Sequence, residues 1–191
     1  MKNAIIIHGI LETREELFDS PVSASNFSWL PGVQRQLVQR GILTQTPEMP
    51  TPYMPDVDFD GWVAVFEQFN IGRDTLLIGH SAGGGFLLKY LSLNPQINPG
   101  RLILVAPWLD IDAEHPTFFQ NFDLDIDLPK RINRIDVLYS TDDMNIIIKS
   151  IDKIKKVYGN RINYHEFSDR GHFDEIDTGK DFPELLDVIN Q

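Results

Sequence analysis

The sequence predicts an α/β protein of three layers, in which about six mostly parallel strands form a sheet with helices on both faces. Two observations predict this fold class. Short, continuously apolar runs recur along the chain, and such runs are typical of strands that are buried on both faces of a sheet. Segments with apolar residues at helical spacing separate these runs, and this alternation predicts parallel strands joined by right-handed connections.

The length and composition favour a single domain that spans residues 1–191. Of the 191 residues, 42% are hydrophobic and 24% are charged, which is ordinary for a globular chain with a sizeable core. The net charge of −11 argues against nucleic acid or an anionic membrane as a partner. The sequence leaves the oligomeric state open.

The sequence contains no cysteine, which excludes disulfides, thiol catalysis and zinc–thiolate sites. The apolar run near the N-terminus is too short for the core of a signal peptide or for a membrane span. We therefore expect a cytoplasmic protein. The chemistry predicted below requires no metal ion and no organic cofactor.

The first part of the chain predicts two strands and two helices. The apolar stripe of the first helix runs from Trp29 to Val38. Residues 12–26 are polar and irregular and predict a loop over the functional site, and the proline-rich residues 47–55 predict a stiff loop near its rim. The strands are predicted at residues 4–8 and 42–46, and the helices at residues 27–40 and 59–69.

The second part of the chain continues the alternation of strands and helices. Residues 110–128 mix acidic side chains with phenylalanines and predict a small cap above the sheet. Further strands are predicted at residues 75–78, 101–106, 135–140 and 162–167, and further helices after residue 81 and at residues 145–158 and 181–190.

The central motif is Gly79-His80-Ser81-Ala82-Gly83, which fits G-x-S-x-G between a predicted strand and a predicted helix. In such a nucleophile elbow a sharp turn lifts the serine hydroxyl clear of the sheet, and glycines are needed where strand and helix nearly touch. The N–H of Ala82, at the start of the helix, is expected to receive an oxyanion. Phosphate and dinucleotide loops need G-x-x-x-x-G-K-[ST] or G-x-G-x-x-G, and neither pattern starts here. Ser81 is therefore the candidate nucleophile.

A serine nucleophile needs a base and a third group that holds the base in the useful tautomer. In the α/β-hydrolase arrangement the chain order is serine, acid, histidine, each after a strand. Asp142 and Asp143 follow the fifth predicted strand and His172 follows the sixth, so all of them reach the sheet edge where Ser81 lies. Asp110, after the fourth strand, is a remoter candidate for the acid.

Four other histidines compete with His172 for the role of the base. His172 alone combines a glycine-flanked loop with the right place in the chain order. His8 is predicted at the end of the first strand, and His80 beside the nucleophile with its ring turned away. His115 is predicted within the cap, and His165 inside the last strand.

The turn after the first strand predicts the rest of the site. Ligand crevices of open α/β sheets lie outside the carboxyl ends of the strands, so the backbone N–H of Ile10 is placed to be the second oxyanion donor. His8, Leu11 and Trp108 are candidates for the substrate pocket. For Trp108, simple packing is an equal alternative.

Three motifs resemble those of one enzyme family. Gly79-His80-Ser81-Ala82-Gly83-Gly84, Ser140-Thr141-Asp142-Asp143 and Gly171-His172-Phe173 are similar to motifs of the small serine hydrolases of the YdeN and retinoblastoma-binding-protein-nine type. The helix of Trp29, the loop at residues 49–52 and Trp62 resemble that family too, so the resemblance covers almost the whole chain. It implies a compact α/β-hydrolase fold without the first two strands of larger enzymes. It also implies serine esterase-like activity with Ser81, Asp143 and His172 as the triad.

The same resemblance favours Asp143 over Asp142 as the acid. The residues after Asp143 are similar to the D-x-x-[VI] turn that is common at this point in α/β-hydrolases, and Asp142 then caps the next helix or hydrogen-bonds locally. Two positions depart from the family pattern. Met144 replaces a proline that often follows the acid, and the turn at residues 8–10 does not closely reproduce the glycine-rich oxyanion loop.

Together these features predict a carboxylesterase-like serine hydrolase that cleaves a small ester, its small-molecule substrate, through an acyl-enzyme on Ser81. A thioesterase or an aminopeptidase would use the same triad. An aminopeptidase also needs carboxylates near the pocket, and the candidates are Glu12, Glu15, Asp56 and Asp58. A hydrolase-fold protein that acts mainly through protein binding is a hypothesis from another class, because fold alone does not fix function.

Overall fold

The computed structural model describes residues 1–11, 23–113 and 115–191, and at its centre lies a sheet of six parallel strands. The strands are β1 (Asn3–Ile7), β2 (Leu43–Gln45), β3 (Thr75–His80), β4 (Arg101–Val105), β5 (Arg134–Ser140) and β6 (Asn163–Phe167). Their order is β2-β1-β3-β4-β5-β6, and every neighbouring pair is parallel. The predicted fold class is confirmed.

Helices cover both faces of this sheet. Within the described ranges the α-helices are α1 (Leu30–Gln39), α2 (Phe59–Phe66), α3 (Ala82–Leu93), α4 (Pro116–Phe119), α5 (Leu128–Arg131), α6 (Asn145–Tyr158), α7 (Glu175–Thr178) and α8 (Pro183–Asn190). Short 3₁₀ turns span Ala24–Asn26 and Gly159–Arg161. None of the helices in these ranges has both the length and the apolar character that crossing a membrane requires.

The central strands are apolar because helices cover both of their faces. All residues of β3 and β4 are buried, and Ile5, Ile6 and Ile7 in β1 have no exposed surface. Since burial of one such side chain stabilises by roughly 1.5–3 kcal/mol, these short runs hold the sheet together. The edge strands are less buried: Leu43 in β2 is 64% exposed, and the side chains of β6 are half-buried or exposed.

Two groups of aromatic side chains pack the helices. Trp29, directly before α1, packs edge-on against Phe182, directly before α8, with ring centroids 5.1 Å apart. Gly32 permits this approach, because a Cβ there would lie 1.8 Å from the carbonyl oxygen of Lys180. The second group joins α2, α3 and α4 and consists of Phe59, Trp62, Phe66, Phe86 and Phe118.

Several element predictions are corrected by the structure. The first helix begins at Leu30 rather than at residue 27, because Ser28 has a left-handed backbone with φ 56°, which an α-helix does not accommodate. Val38 is 51% exposed and lies outside the buried stripe, since it is rotated by about 100° around the helix from Leu37. Helix α2 ends at Phe66, and α5 and α7 were not predicted, because four residues are too few to show helical periodicity.

Two predicted segments are only partly addressed by the structure. Of the loop predicted over the site, residues 12–22 lie outside the described residues, and the remainder contains the turn Ala24–Asn26. The segment predicted as a cap, residues 110–128, contains α4 and contributes Phe118 and Phe119 to the core. The role of this segment as a cap and the single-domain organisation stay predictions.

A buried carboxylate connects the sheet to the last helix. The Asp136 side chain in β5 is fully buried, and Arg101 from the neighbouring strand donates to it at 2.8 and 3.1 Å. Burial alone would raise the pKa of Asp136, but hydrogen bonds from Arg134, His165 and Arg101 outweigh it and lower the pKa. Arg101 also donates to two carbonyl oxygens in the last turn of α8, at 2.6 and 2.8 Å. The carboxylate thus organises the cations that hold the C-terminus on the sheet.

We predict that Asp136→Ala destabilises the protein by about 3–5 kcal/mol at pH 7, because it leaves the Arg101 guanidinium buried without its carboxylate. Urea unfolding followed by circular dichroism measures this change. The lowered pKa means that the stabilisation is present above pH 3.8, the ordinary pKa, and is lost as the pH falls through the lower folded-state value. The difference between the variant and the wild type should therefore narrow in acid.

The exposed pair of Lys2 and Asp74 provides the control, since its side chains are 83% and 59% accessible. Asp74→Ala should lower the free energy of unfolding by less than about 1 kcal/mol. If Asp136→Ala and Asp74→Ala lower it equally, the buried pair stabilises the protein no more than the exposed pair does.

Candidate active site

The strand order brings the turns that carry the predicted site residues to one edge of the sheet. β1 lies between β2 and β3, so the strand order reverses there, and ligand crevices of open parallel sheets lie at such a switch point. The turns after β1 and β3 are neighbours at this edge. Because all six strands are parallel, the turns after β5 and β6 lie at the same edge. These four turns carry Ile10, Ser81, Asp143 and His172.

Ser81 occupies the tight turn between β3 and α3. Its backbone has φ 53° and ψ −122°, a strained conformation for a residue other than glycine, and such strain is concentrated at functional sites. Close packing holds the turn. A Cβ on Gly79 would lie 2.7 Å from the backbone of Gly83, and a Cβ on Gly83 would lie 2.4 Å from two carbonyl oxygens at the end of β1. The two glycines of the motif therefore allow strand and helix to meet.

The backbone around Ser81 leaves two N–H groups available. The Ser81 carbonyl accepts from three backbone N–H groups, including that of Trp108 at 3.0 Å. By contrast, the N–H groups of Ala82 and Ile10 have no acceptor among the residues that the structure describes. Ala82 begins α3, where the positive end of the helix dipole lies. Both groups are free to donate to an anionic oxygen.

The side chains of Asp143 and His172 lie together. His172 Nδ1 is 3.0 and 3.1 Å from the two carboxylate oxygens of Asp143, which is fully buried. Because an ionised carboxylate only accepts, Nδ1 carries the proton, and Nε2 is left as the basic nitrogen. The carboxylate also accepts from the N–H of Met144 at 2.6 Å. Asp110, the remoter candidate for the acid, accepts from the N–H of His115 at 2.8 Å.

Asp142 makes different contacts from its neighbour. It accepts from the hydroxyl of Ser140 and from the N–H of Gly171 at 3.0 Å. The hydrogen bond from Ser140, with support from Gly171, lowers the pKa of Asp142 against the opposing effect of desolvation. Asp142 thus holds the backbone of the loop that carries His172, whereas Asp143 contacts the imidazole ring.

The Ser81 hydroxyl makes no hydrogen bond within the described ranges. Catalytic hydrogen bonds are often loose in an unliganded site and tighten when substrate binds. The rings of His80 and His172 have centroids 4.9 Å apart, and His80 directly precedes Ser81 in the chain. His172 therefore lies beside the turn that carries the serine.

Two buried aromatic N–H groups hold the loop of His172. His80 Nε2 donates to the carbonyl oxygen of His172 at 2.9 Å, and Trp29 Nε1 donates to that of Phe173 at 3.0 Å. Burial, with repulsion from the neighbouring imidazole of His172, lowers the pKa of His80 to about 3. His80 is therefore a neutral donor at physiological pH, with its proton on Nε2, since a carbonyl oxygen can only accept.

His8 organises the turn after β1. Its buried ring accepts from the N–H of Met49 through Nε2 at 2.9 Å and donates from Nδ1 to the carbonyl oxygen of Gly9 at 2.6 Å. Burial lowers the pKa of His8, although the hydrogen bond to Gly9 and the charge of Glu48 oppose this change. The neutral ring thus joins the turn that carries Ile10 to the proline-rich loop.

These side chains surround a cavity of about 470 Å³, a volume in the range of small-molecule sites. All three pocket candidates line it, and Trp108 also packs edge-on against Phe119 at 4.9 Å. The packing of Trp108 is observed, and its contact with substrate stays a prediction. Among the described lining residues none is a lysine or arginine, and the only acid is Asp174. Predicted residues on the lining are Ser81, His172, Ile10, His8, Leu11 and Trp108.

Other candidates lie elsewhere or are not described. His165 contacts Asp136 at 3.0 Å, in the buried network near the C-terminus. Asp58 caps α2 by accepting from a backbone N–H at 2.7 Å and borders a different cavity. Glu12 and Glu15 lie outside the described residues. The carboxylates considered for an aminopeptidase are therefore not brought to the cavity by the described part of the chain.

Sequence reasoning missed several contributors to the site, among them Met54, Ser28 and His80. Met54, in the proline-rich loop, lines the cavity, and so does Ser28. His80 holds the backbone of His172. The proline-rich loop had been placed near the rim from its composition, but nothing in the sequence signals Ser28, because serine does not by itself encode a left-handed backbone.

Comparison with known proteins identifies the architecture. No family model matches the chain, and no curated protein matches it. Among solved structures, YdeN from B. subtilis has a TM-score of 0.80 at 21% identity, over 100% of this chain and 97% of that chain. A YdeN-like hydrolase from Pectobacterium atrosepticum has a TM-score of 0.66 at 14% identity, over 98% and 88%. A pyrethroid hydrolase from Sphingobium faniae has a TM-score of 0.61 at 15% identity, over 99% and 96%. The chain has the α/β-hydrolase fold.

The resemblance to YdeN that the motifs indicated is confirmed at the level of the fold. In the α/β-hydrolase fold the nucleophile follows one strand, and the acid and histidine follow later strands, all at the carboxyl edge of the sheet. The turns after β3, β5 and β6 occupy these places here. Ser81, Asp143 and His172 lie in these three turns.

We predict that His80 remains neutral, with its proton on Nε2, from pH 7 down to about pH 4, because its pKa is lowered to about 3. Two-dimensional ¹⁵N–¹H NMR of the imidazole rings reports the tautomer, and a His80→Gln variant assigns the signals. In the unfolded chain His80 takes up a proton below about pH 6.5, so this residue makes the folded state less stable as the pH falls from there toward 3. A His80 signal that titrates near pH 6.5 would refute the assignment.

Proposed function

We propose that the protein is a serine hydrolase that cleaves small, uncharged carboxylic esters through an acyl-enzyme on Ser81. The observation that carries this proposal is the contact of Asp143 with His172 Nδ1 at 3.0 Å. It lies at the sheet edge where Ser81 occupies its strained turn. A buried acid that orients an imidazole beside such a serine is the arrangement that activates a hydroxyl nucleophile.

In the proposed reaction, Ser81 Oγ attacks the ester carbonyl carbon while His172 Nε2 accepts the hydroxyl proton. Asp143 accepts the Nδ1 hydrogen bond and stabilises the imidazolium that forms. The N–H groups of Ala82 and Ile10 donate to the oxyanion of the tetrahedral intermediate. The ester C–O bond then breaks as His172 gives its proton to the leaving alcohol, which leaves the acyl group on Ser81. His172 next deprotonates a water molecule that attacks the acyl carbon, and it returns this proton to Ser81 Oγ as the carboxylic acid departs.

The character of the cavity favours an uncharged substrate. Its described lining is largely apolar, includes Phe27, Met54 and Trp108, and contains no lysine or arginine. The phosphates of a coenzyme A thioester, or a free carboxylate on the substrate, would find no cationic partner among these residues. For an aminopeptidase, the described part of the lining offers only the exposed carboxylate of Asp174. A neutral ester is therefore the substrate class that this cavity fits best.

Two of the structures that share the fold are themselves described as hydrolases, and one of them acts on pyrethroids. Their identity to this chain is 14% and 15%, so they support hydrolysis as a class of reaction and do not indicate the substrate. The substrate argument depends on the cavity alone.

We predict that a fluorophosphonate probe labels Ser81, and that Ser81→Ala abolishes the labelling. Fluorophosphonates react with a serine that a neighbouring base has activated, so mass spectrometry of the adduct identifies the nucleophile. Hydrolysis of 4-nitrophenyl acetate by Ser81→Ala should fall by roughly a thousandfold or more. A folded wild-type protein that the probe does not label would contradict the proposed function.

A matched pair of acid variants tests the assignment of the acid. Asp143→Asn should lower kcat by roughly 10²- to 10⁴-fold, because the amide favours the wrong imidazole tautomer. Asp142→Asn should lower it by less than about tenfold, because the amide oxygen still accepts from the N–H of Gly171. Circular dichroism and thermal unfolding confirm that both variants fold. A larger loss in Asp142→Asn than in Asp143→Asn would exclude Asp143 as the acid.

A further inference from the structure

Ser28 has a buried hydroxyl that nothing in the described structure satisfies. The residue is 9% exposed, its Oγ is buried, and this oxygen has no hydrogen-bond partner among the described residues. A buried polar group without a partner is rare and costly, so it calls for an explanation. Ser28 also lines the cavity that contains Ser81 and His172.

Other buried serines of this chain have partners for their hydroxyl groups. Ser25 contacts the hydroxyl of Ser23 at 3.1 Å, and Ser150 donates to a carbonyl oxygen in its own helix at 2.9 Å. The Ser140 hydroxyl donates to a carboxylate. Ser28 does not cap α1 either, since that helix has no side-chain hydrogen bond at its N-terminus. Within the described residues, no structural role accounts for the hydroxyl of Ser28.

The backbone of Ser28 is strained as well. Its φ of 56° is in the left-handed region, which favours glycine over serine. The next residue, Trp29, packs against the ring of His80 and donates to the carbonyl oxygen of Phe173, one residue after His172. Ser28 therefore directly precedes the residue that holds the loop of His172. This position keeps Ser28 at the edge of the cavity that contains Ser81 and His172.

We propose that Ser28 is a specificity-determining residue whose hydroxyl binds a polar group of the substrate. The substrate class is then a neutral ester that carries a hydroxyl or carbonyl group in addition to the scissile ester. This inference rests on the proposed ester hydrolysis at Ser81. Rotation about the Cα–Cβ bond moves Oγ among three staggered positions. Because Ser28 lines the cavity, this rotation turns the hydroxyl toward a bound group, which supplies the missing hydrogen bond.

Pairs of esters that differ by one hydroxyl test the inference. One pair is 4-nitrophenyl butyrate and 4-nitrophenyl 3-hydroxybutyrate, and the other is propyl butyrate and 2-hydroxypropyl butyrate. Wild type should have a higher kcat/KM for the hydroxylated member of at least one pair. Ser28→Ala should lower kcat/KM for that member by roughly 5- to 50-fold more than for its plain counterpart, because one buried hydrogen bond is lost. A preference within the first pair places the polar group on the acyl side of the ester, and a preference within the second pair places it on the alcohol side.

Two further variants keep the test informative. Ser28→Gly also removes the hydroxyl and suits the left-handed backbone, so it replaces Ser28→Ala if the latter folds poorly. Ser25→Ala removes a nearby buried hydroxyl that does not line the cavity and should leave the preference unchanged. Loss of the preference in Ser28→Gly but not in Ser25→Ala supports the inference. No preference in the wild type, or an unchanged preference in both Ser28 variants, overturns it.

A binding measurement separates this inference from the proposed function. In the Ser81→Ala background, the hydroxylated ester should raise Tm more than the plain ester does, and Ser28→Gly should remove that difference. Hydrolysis in which substitution of Ser28 leaves the preference between hydroxylated and plain esters unchanged would refute the inference and leave the proposed function intact. Absence of hydrolysis and of probe labelling would refute the proposed function. In that case a larger Tm shift from the hydroxylated ester than from the plain ester, lost in Ser28→Gly, would still support a contact between Ser28 and the ligand. Equal Tm shifts from the two esters would overturn the inference about Ser28.

Discussion

The candidate site depends on the close approach of β1, β3 and α3. A single methyl group on Gly83 would lie 2.4 Å from the carbonyl oxygens at the end of β1, and one on Gly79 would lie 2.7 Å from Gly83 itself. Because these contacts involve backbone atoms, no side-chain movement can relieve them. The approach keeps Ser81 in a conformation that costs free energy. It also brings the first turn of α3, which begins at Ala82, next to the end of β1.

The second constraint is that the donors around the site must be neutral. His172 lies on a loop after the last strand, and side chains from the core, His80 and Trp29, hold its backbone carbonyls. A charged His80 beside His172 would repel the imidazolium that forms on His172 in the proposed reaction. Burial prevents this charge by lowering the pKa of His80 to about 3. Burial also lowers the pKa of His8. The neutral ring of His8 joins the turn after β1 to the proline-rich loop at residues 47–55.

The sequence predicted those features of the fold that depend on local pattern. The alternation of strand-like and helix-like segments located all six strands, and the G-x-S-x-G motif, which begins at Gly79 within β3, located the turn of Ser81. Parallel topology then placed the turns of Asp143 and His172 at the same edge without any knowledge of side-chain contacts. Features that depend on tertiary geometry were not predictable. Val38 continues an apolar pattern but faces solvent, and the strained backbone of Ser28 has no signature in the residue type.

The two adjacent acids after β5 show why the pattern alone could not assign the site. Asp142 and Asp143 have the same chemistry and occupy the same turn, so composition and spacing treat them alike. Their side chains point in different directions: Asp142 accepts from the backbone of Gly171, and Asp143 accepts from the ring of His172. One carboxylate fixes where the loop lies and the other fixes how the imidazole is oriented. In the proposed reaction the base needs both kinds of restraint to come within hydrogen-bond distance of the nucleophile. The two acids would then control the position of His172 and the orientation of its ring separately.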